Sequence, residues 1–126
     1  MSGKCILVAE DDERTGKSIR GILGDEGYEV RVYTRGEDLV KNYLQNPDSV
    51  GLVITDMEMD GGMSGIDVVE KLRNLGYGRK IIGMSGDPAE SDFIQAGADG
   101  FLPKPFSLDE IVEMVKKSYQ DGSSSV

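Results

Sequence analysis

Five positions along the 126-residue chain carry side chains suited to phosphoryl chemistry: the acid pair Glu10 and Asp11, the acid Asp56, the hydroxyl of Ser85 and the ammonium of Lys104. Each follows a short apolar run, directly or within two residues. Three carboxylates gathered at one place repel one another unless a cation holds them, and an all-oxygen donor set without imidazole or thiolate suits Mg²⁺. A phosphate would complete the metal's coordination. Lys104 would then pair with its oxygens and Ser85 would donate a hydroxyl proton, while the backbone N–H of Gly86 can come close because no Cβ intervenes. An aspartate nucleophile, a cation, a lysine and a hydroxyl suffice to move a phosphoryl group onto a carboxylate, with Asp56 as the acceptor.

Taken singly, each residue also has a plain structural reading. Glu10, Asp11 and Asp12 could be an acidic helix start favoured by the helix dipole, with Asp12 as the cap. Asp56 could be a loop acid, Ser85 a turn residue, and Lys104 a solvated residue between two prolines. Joint placement at strand ends is what selects the chemical reading, and that placement depends on the fold.

Short apolar runs alternate with segments of helical period, the pattern of a parallel sheet covered by helices. Strands are expected at Cys5 to Ala9, Glu29 to Tyr33, Gly51 to Thr55, Lys80 to Met84 and Gly100 to Leu102, the second as an edge because Val30 and Val32 alternate with polar residues. Leu108, Ile111, Val112 and Val115 fall on one face of a final helix. Thr34, Ser64, Asp87 and Ser107 each stand three residues before a carboxylate and are expected to cap helices, and Pro88 suits a first helical turn. Gly27, Gly76 and Gly97 are expected to end helices in the left-handed conformation. In an open α/β sheet with right-handed crossovers the carboxyl ends of all strands share one edge, which is where ligands bind. Five strand-helix units predict one domain over residues 1–120, with 121–126 as a disordered tail.

Composition narrows the function further. Apolar residues make up 38% and charged residues 29%, and the formal charge of −9 disfavours direct contact with nucleic acid or anionic membranes. The single cysteine, Cys5, lies in an apolar run and reads as a buried thiol. With no histidine, a Ser-His triad and a His-ligated metal are ruled out. Neither a signal peptide nor a run of 18 apolar residues is found, so a cytoplasmic address is expected. The methionines and Phe93 and Phe106 read as packing residues.

The segments Ile6-Leu7-Val8-Ala9-Glu10-Asp11-Asp12, Val53-Ile54-Thr55-Asp56-Met57, Gly83-Met84-Ser85-Gly86 and Gly100-Phe101-Leu102-Pro103-Lys104-Pro105-Phe106 together resemble the response-regulator receiver domain of two-component signalling. The resemblance runs from Lys4 to about Tyr119. It implies a flavodoxin-like (βα)₅ doubly wound fold, a five-stranded parallel sheet in the order 2-1-3-4-5, for which a bacterial receiver protein is itself a standard example. It also implies Asp56 as phosphoacceptor, Asp11 as a direct Mg²⁺ ligand, Glu10 acting on the metal through water, and Glu58 contributing its backbone carbonyl. Ser85 would be the switch hydroxyl, Lys104 the phosphate-pairing lysine before a Pro105 that is often cis, and Phe101 the switch aromatic. The implied donor is a phosphohistidine on a sensor histidine kinase or histidine phosphotransfer protein, with an output partner not named by the sequence. The chain would modify only itself, as a switch and not an enzyme acting on other substrates.

Three features depart from that pattern. The loop Met59-Asp60-Gly61-Gly62-Met63-Ser64-Gly65 lacks the usual proline and has one residue more, which predicts a looser loop. Glu58 and Asp87 would stand at the mouth of the pocket, where they could orient or repel an attacking water. Phe101 lacks the hydroxyl of the commoner tyrosine, and Gly86 replaces a frequent alanine. An aspartate-nucleophile phosphatase fits poorly, since Glu58 stands where a second aspartate is usual and the chain lacks a capping region. A flavin carrier would need a phosphate loop where Glu10-Asp11-Asp12 stands. The remaining alternative is a phosphorylation-independent interaction module of the same fold.

Overall fold

The computed structural model describes residues 4–59 and 61–119; Asp60 of the lengthened loop and the expected tail at 121–126 lie outside the described residues. Five strands alternate with five helices: β1 (Cys5–Ala9), α1 (Glu13–Asp25), β2 (Val30–Tyr33), α2 (Gly36–Gln45), β3 (Val50–Asp56), α3 (Gly65–Asn74), β4 (Lys80–Ser85), α4 (Glu90–Ala96), β5 (Gly100–Pro103) and α5 (Leu108–Ser118), with a single 3₁₀ turn over Pro47–Ser49 before β3. All four pairings are parallel and the order is β2-β1-β3-β4-β5. The strand order reverses direction between β1 and β3, so the chain leaves these two strands toward opposite faces and a crevice opens at their carboxyl ends.

Burial follows from the strand sequences. Every residue of β1 and β3 is buried, as apolar runs covered on both faces require, whereas β2 at the edge is half-exposed. Alternate strand residues feed two cores. Leu7, Val53 and Ile81 meet Leu39, Val68, Leu72 and Phe93 from α2, α3 and α4. Ile6, Val8, Ile54 and Met84 meet Ile19, Leu23, Ile111 and Val115 from α1 and α5. Each such side chain, fully buried, stabilises the fold by about 1.5–3 kcal/mol. Cys5 sits in the first core with its thiol buried, and burial raises its pKa.

Local signals mostly act as the residue types dictate. Ser64 and Ser107 form reciprocal capping boxes with Asp67 and Glu110, and Asp12 caps α1 by accepting the N–H of Arg14. Gly27, Gly76 and Gly97 all have positive φ. Two expected caps are corrected. Arg35, not Thr34, precedes α2, and Ala89, not Asp87, precedes α4, neither with a side-chain cap. Asp87 is used up in the turn leaving β4, where its N–H donates to Ser85 Oγ and its carbonyl accepts from Ala89. Pro88 consequently precedes α4 and does not open it. The expected apolar face of α5 is also narrower than predicted: Ile111 and Val115 are buried, but Leu108, in the first turn, is 47% exposed.

Candidate functional site

The carboxyl ends of β1, β3, β4 and β5 bring together most of the residues singled out by type. Glu10 follows β1 and is only 1% exposed, Asp56 closes β3 at 8%, and Ser85 closes β4 at 4%. These are charged and polar side chains that water would normally keep, so partners must hold them. Lys104, one residue past β5, supplies the main one: its Nζ lies 2.6 Å from Glu10 Oε1 and 3.1 Å from Asp56 Oδ2. Backbone groups do the rest. Glu10 Oε2 accepts the N–H of Asp12 at 3.1 Å, and Asp56 Oδ1 accepts the N–H of Met57 at 2.9 Å.

The electrostatics follow from this packing. Burial pushes the Glu10 carboxyl above its ordinary range, and the nearby Asp56 charge adds to the rise; the Lys104 ammonium and the Asp12 N–H oppose it but do not cancel it. For Lys104 burial works toward a lower value, yet its hydrogen bonds to Glu10 and Asp56 outweigh it and hold the ammonium above the usual lysine range. The site is therefore an acidic cluster with a fixed internal cation.

Oxygens of Glu10, Asp11 and Asp56 lie within 4.8 Å of one another. Oxygens on opposite sides of an octahedral Mg²⁺ are about 4.2 Å apart, so the three acids match a hard divalent cation in spacing as well as in donor type. The half-buried Asp11 stands at the solvent side of this group. A metal there is a fit of chemistry and spacing.

Ser85 Oγ accepts the N–H of Asp87 at 3.0 Å, which leaves its proton to donate, and its carbonyl accepts the N–H of Lys104 at 2.8 Å. The second bond ties the end of β4 to the lysine that reaches Glu10 and Asp56. Gly86 and Lys104 line one cavity beside the site, together with Asp12 and Phe106. Glu58 is exposed and shares with Asp87 a cleft separate from the one that Gly86 and Lys104 line. Lys104-Pro105 is a cis peptide bond.

Phe101 is not part of the acidic cluster. It is half-buried on β5 with its ring 5.9 Å from that of Phe93, and it borders an outer surface with Ile94 of α4. It pairs with Gly83 of β4, the strand that ends at Ser85.

The sequence reading missed three supports. Thr55, fully buried, donates its hydroxyl to the carbonyl of Asp56 at 3.0 Å. Glu37 of α2 accepts the N–H of Gly62 at 2.9 Å, across 25 positions. Arg73 of α3 donates to the carbonyls of Gly97, Tyr77 and Arg79 and to Asp99, holding together the turn that leads into β4 and the turn that leaves α4. No local pattern marks an acid or arginine whose partner lies that far along the chain.

The family described as the response regulator receiver domain matches residues 6–116. The response regulator MprA of Mycobacterium sp. (strain KMS) is 32% identical over 115 residues, which are 88% of this chain and 48% of MprA. The chain thus spans about half the length of such relatives. Among solved structures, the response regulator protein TrrA from Thermotoga maritima, crystallised in complex with Mg(2+)-BeF, is 34% identical, covers 90% of this chain and 97% of its own, and superposes with a TM-score of 0.80. A CheY-like response regulator receiver domain protein from Methanospirillum hungatei is 28% identical with a TM-score of 0.81, covering 92% of this chain and 93% of its own.

Proposed function

The chain belongs to the response regulator receiver domain family of two-component signalling, and we propose that within it Asp56 takes a phosphoryl group from a phosphohistidine in a Mg²⁺-dependent reaction, switching the domain between two states. The observation that carries this reading is the Lys104 ammonium bridging Glu10 and Asp56 at the carboxyl ends of the strands.

A carboxylate oxygen of Asp56 attacks phosphorus in line, the P–N bond to the donor imidazole breaks, and an acyl phosphate forms. Mg²⁺, held by Asp11 and Asp56 with the carbonyl of Glu58 and with Glu10 through water, would neutralise charge on the transferred oxygens. Lys104 already points at Asp56 Oδ2 and can swing onto a phosphoryl oxygen while keeping Glu10. Ser85 donates its free hydroxyl proton, and the N–H of Gly86 adds a second donor. Because Lys104 and the Ser85 carbonyl are hydrogen-bonded, a shift of either moves the start of the chain beyond β5, and with it the packing of Phe101 on Phe93. The domain acts on no substrate but itself.

The donor on this reading is a sensor histidine kinase or a histidine phosphotransfer protein, and the output is a partner or further domain that senses the altered β5 side. No described helix is long and apolar enough to cross a membrane, and a cytoplasmic address goes with the reading. TrrA, which was crystallised with Mg(2+)-BeF, supports the choice of metal and phosphoryl group. Calorimetric titration with beryllofluoride tests the site. Binding is expected with Mg²⁺ present and not after its removal with chelator; no binding in either case would favour the phosphorylation-independent module.

A further inference from the structure

The chain between Asp56 and α3 is tied at two points. At its exit, the N–H of Gly65 donates to the carbonyl of Met57 at 2.7 Å, and a Cβ on Gly65 would lie 2.0 Å from the Asp56 carbonyl oxygen, so the loop returns onto the backbone of the acceptor residue. Midway, Gly62 donates to Glu37 Oε2 at 2.9 Å.

The second tie is built by α2. Arg35 Nη2 lies 3.6 Å from the same Oε2, and the Arg35 guanidinium lies within about 3 Å of where a Gly61 side chain would begin, at a residue with φ of 99°. Gly36 allows the close approach: a Cβ there would meet Val68 Cγ2 at 2.5 Å, with Met63 and Met59 next. The Glu37 side chain is 37% exposed, yet its Oε1 is shielded from water without a hydrogen-bond partner. An oxygen left unpaired costs free energy, so the contacts made by Oε2 must fix the carboxylate where it is. Its own backbone N–H and that of Gly62 hold the carboxyl below the usual range.

We propose that Glu37 is a positioning residue for the phosphorylation site: its bond to Gly62 fixes the loop that follows Asp56 and thereby the Glu58 carbonyl offered to Mg²⁺. The inference rests on the proposed function, since it presupposes that metal. A loop one residue longer than usual would otherwise place that carbonyl less well, and α2 supplies the missing restraint.

The test uses the whole chain as it exists, compared with Glu37→Ala, Glu37→Asp and Glu37→Gln. Amide exchange at Gly62 is measured in metal-free protein, and Mg²⁺ affinity is measured by calorimetry without a phosphodonor. Alanine, or aspartate should the alanine variant not fold, is expected to expose the Gly62 amide and weaken Mg²⁺ binding roughly tenfold. Glutamine keeps an acceptor oxygen and is expected to restore both. An unchanged Mg²⁺ affinity in the alanine or aspartate variant overturns the inference, as does a glutamine variant no better than alanine. Absence of Mg²⁺ binding by the wild type would instead overturn the metal in the proposed function, so the two failures are distinct.

Discussion

Lys104 and Glu10, 94 residues apart, form the shortest ion pair at the site, with Nζ 2.6 Å from Oε1. The same ammonium also reaches Asp56, so the lysine assigned to phosphate is the counter-ion of the acids before any phosphate arrives.

Replacing Lys104 with Met should therefore harm folding as well as chemistry. It leaves Glu10, 1% exposed, without its cation beside Asp56. Breaking a buried pair by removing one partner costs 3–5 kcal/mol, and since the Lys104 side chain is 24% exposed a loss of about 1–3 kcal/mol is expected in urea unfolding. Glu10→Gln in the same background should recover part of it.

Asp11→Asn removes one of three carboxylates whose oxygens lie within 4.8 Å of one another, and with it a charge expected to hold the metal. Mg²⁺ should raise the melting temperature of the wild type and leave the variant nearly unchanged. Equal Mg²⁺ stabilisation of both would remove Asp11 from the metal site.

The Glu37 tie to Gly62 should depend on pH with a definite sign. Its folded-state pKa is depressed below 4.5, so its contribution is present above the unfolded value and is lost as pH falls through the folded one. The amide shift of Gly62 should titrate with a midpoint below 4.5, and this step should vanish in Glu37→Gln.

Gly83→Ala probes the seat of α4. A Cβ on Gly83 would lie 2.4 to 2.6 Å from three atoms of the Phe93 ring, so the helix must move off β4. A loss of about 1–3 kcal/mol is expected in urea unfolding, with the near-ultraviolet dichroism of the Phe93 and Phe101 rings altered.

The central strands and the acidic cluster were legible because each depends on short-range chemistry. A buried strand shows as an unbroken apolar run, and a functional residue at its end shows as the first charge after it, as with Glu10 and Asp56. Helix starts were legible only where the cap is self-contained, at Asp12, Ser64 and Ser107. Thr34 and Asp87 misled because tertiary demands, the approach of Gly36 to Val68 and the turn from Ser85 to Ala89, decided where those helices begin. The pairing of Lys104 with Glu10, the hub at Arg73 and the Glu37 restraint were invisible because long side chains choose partners by the folded geometry, which no spacing rule records. In the lengthened loop, Gly62 and Gly65 each donate a hydrogen bond, to Glu37 and to Met57, which the sequence did not signal.

The most direct test of Asp56 as acceptor is intact-mass measurement after incubation with a small acyl phosphate and Mg²⁺, on the wild type and Asp56→Asn. One added phosphoryl group is expected on the wild type and none on the variant. Equal labelling of both would place the acceptor elsewhere and contradict the proposed chemistry.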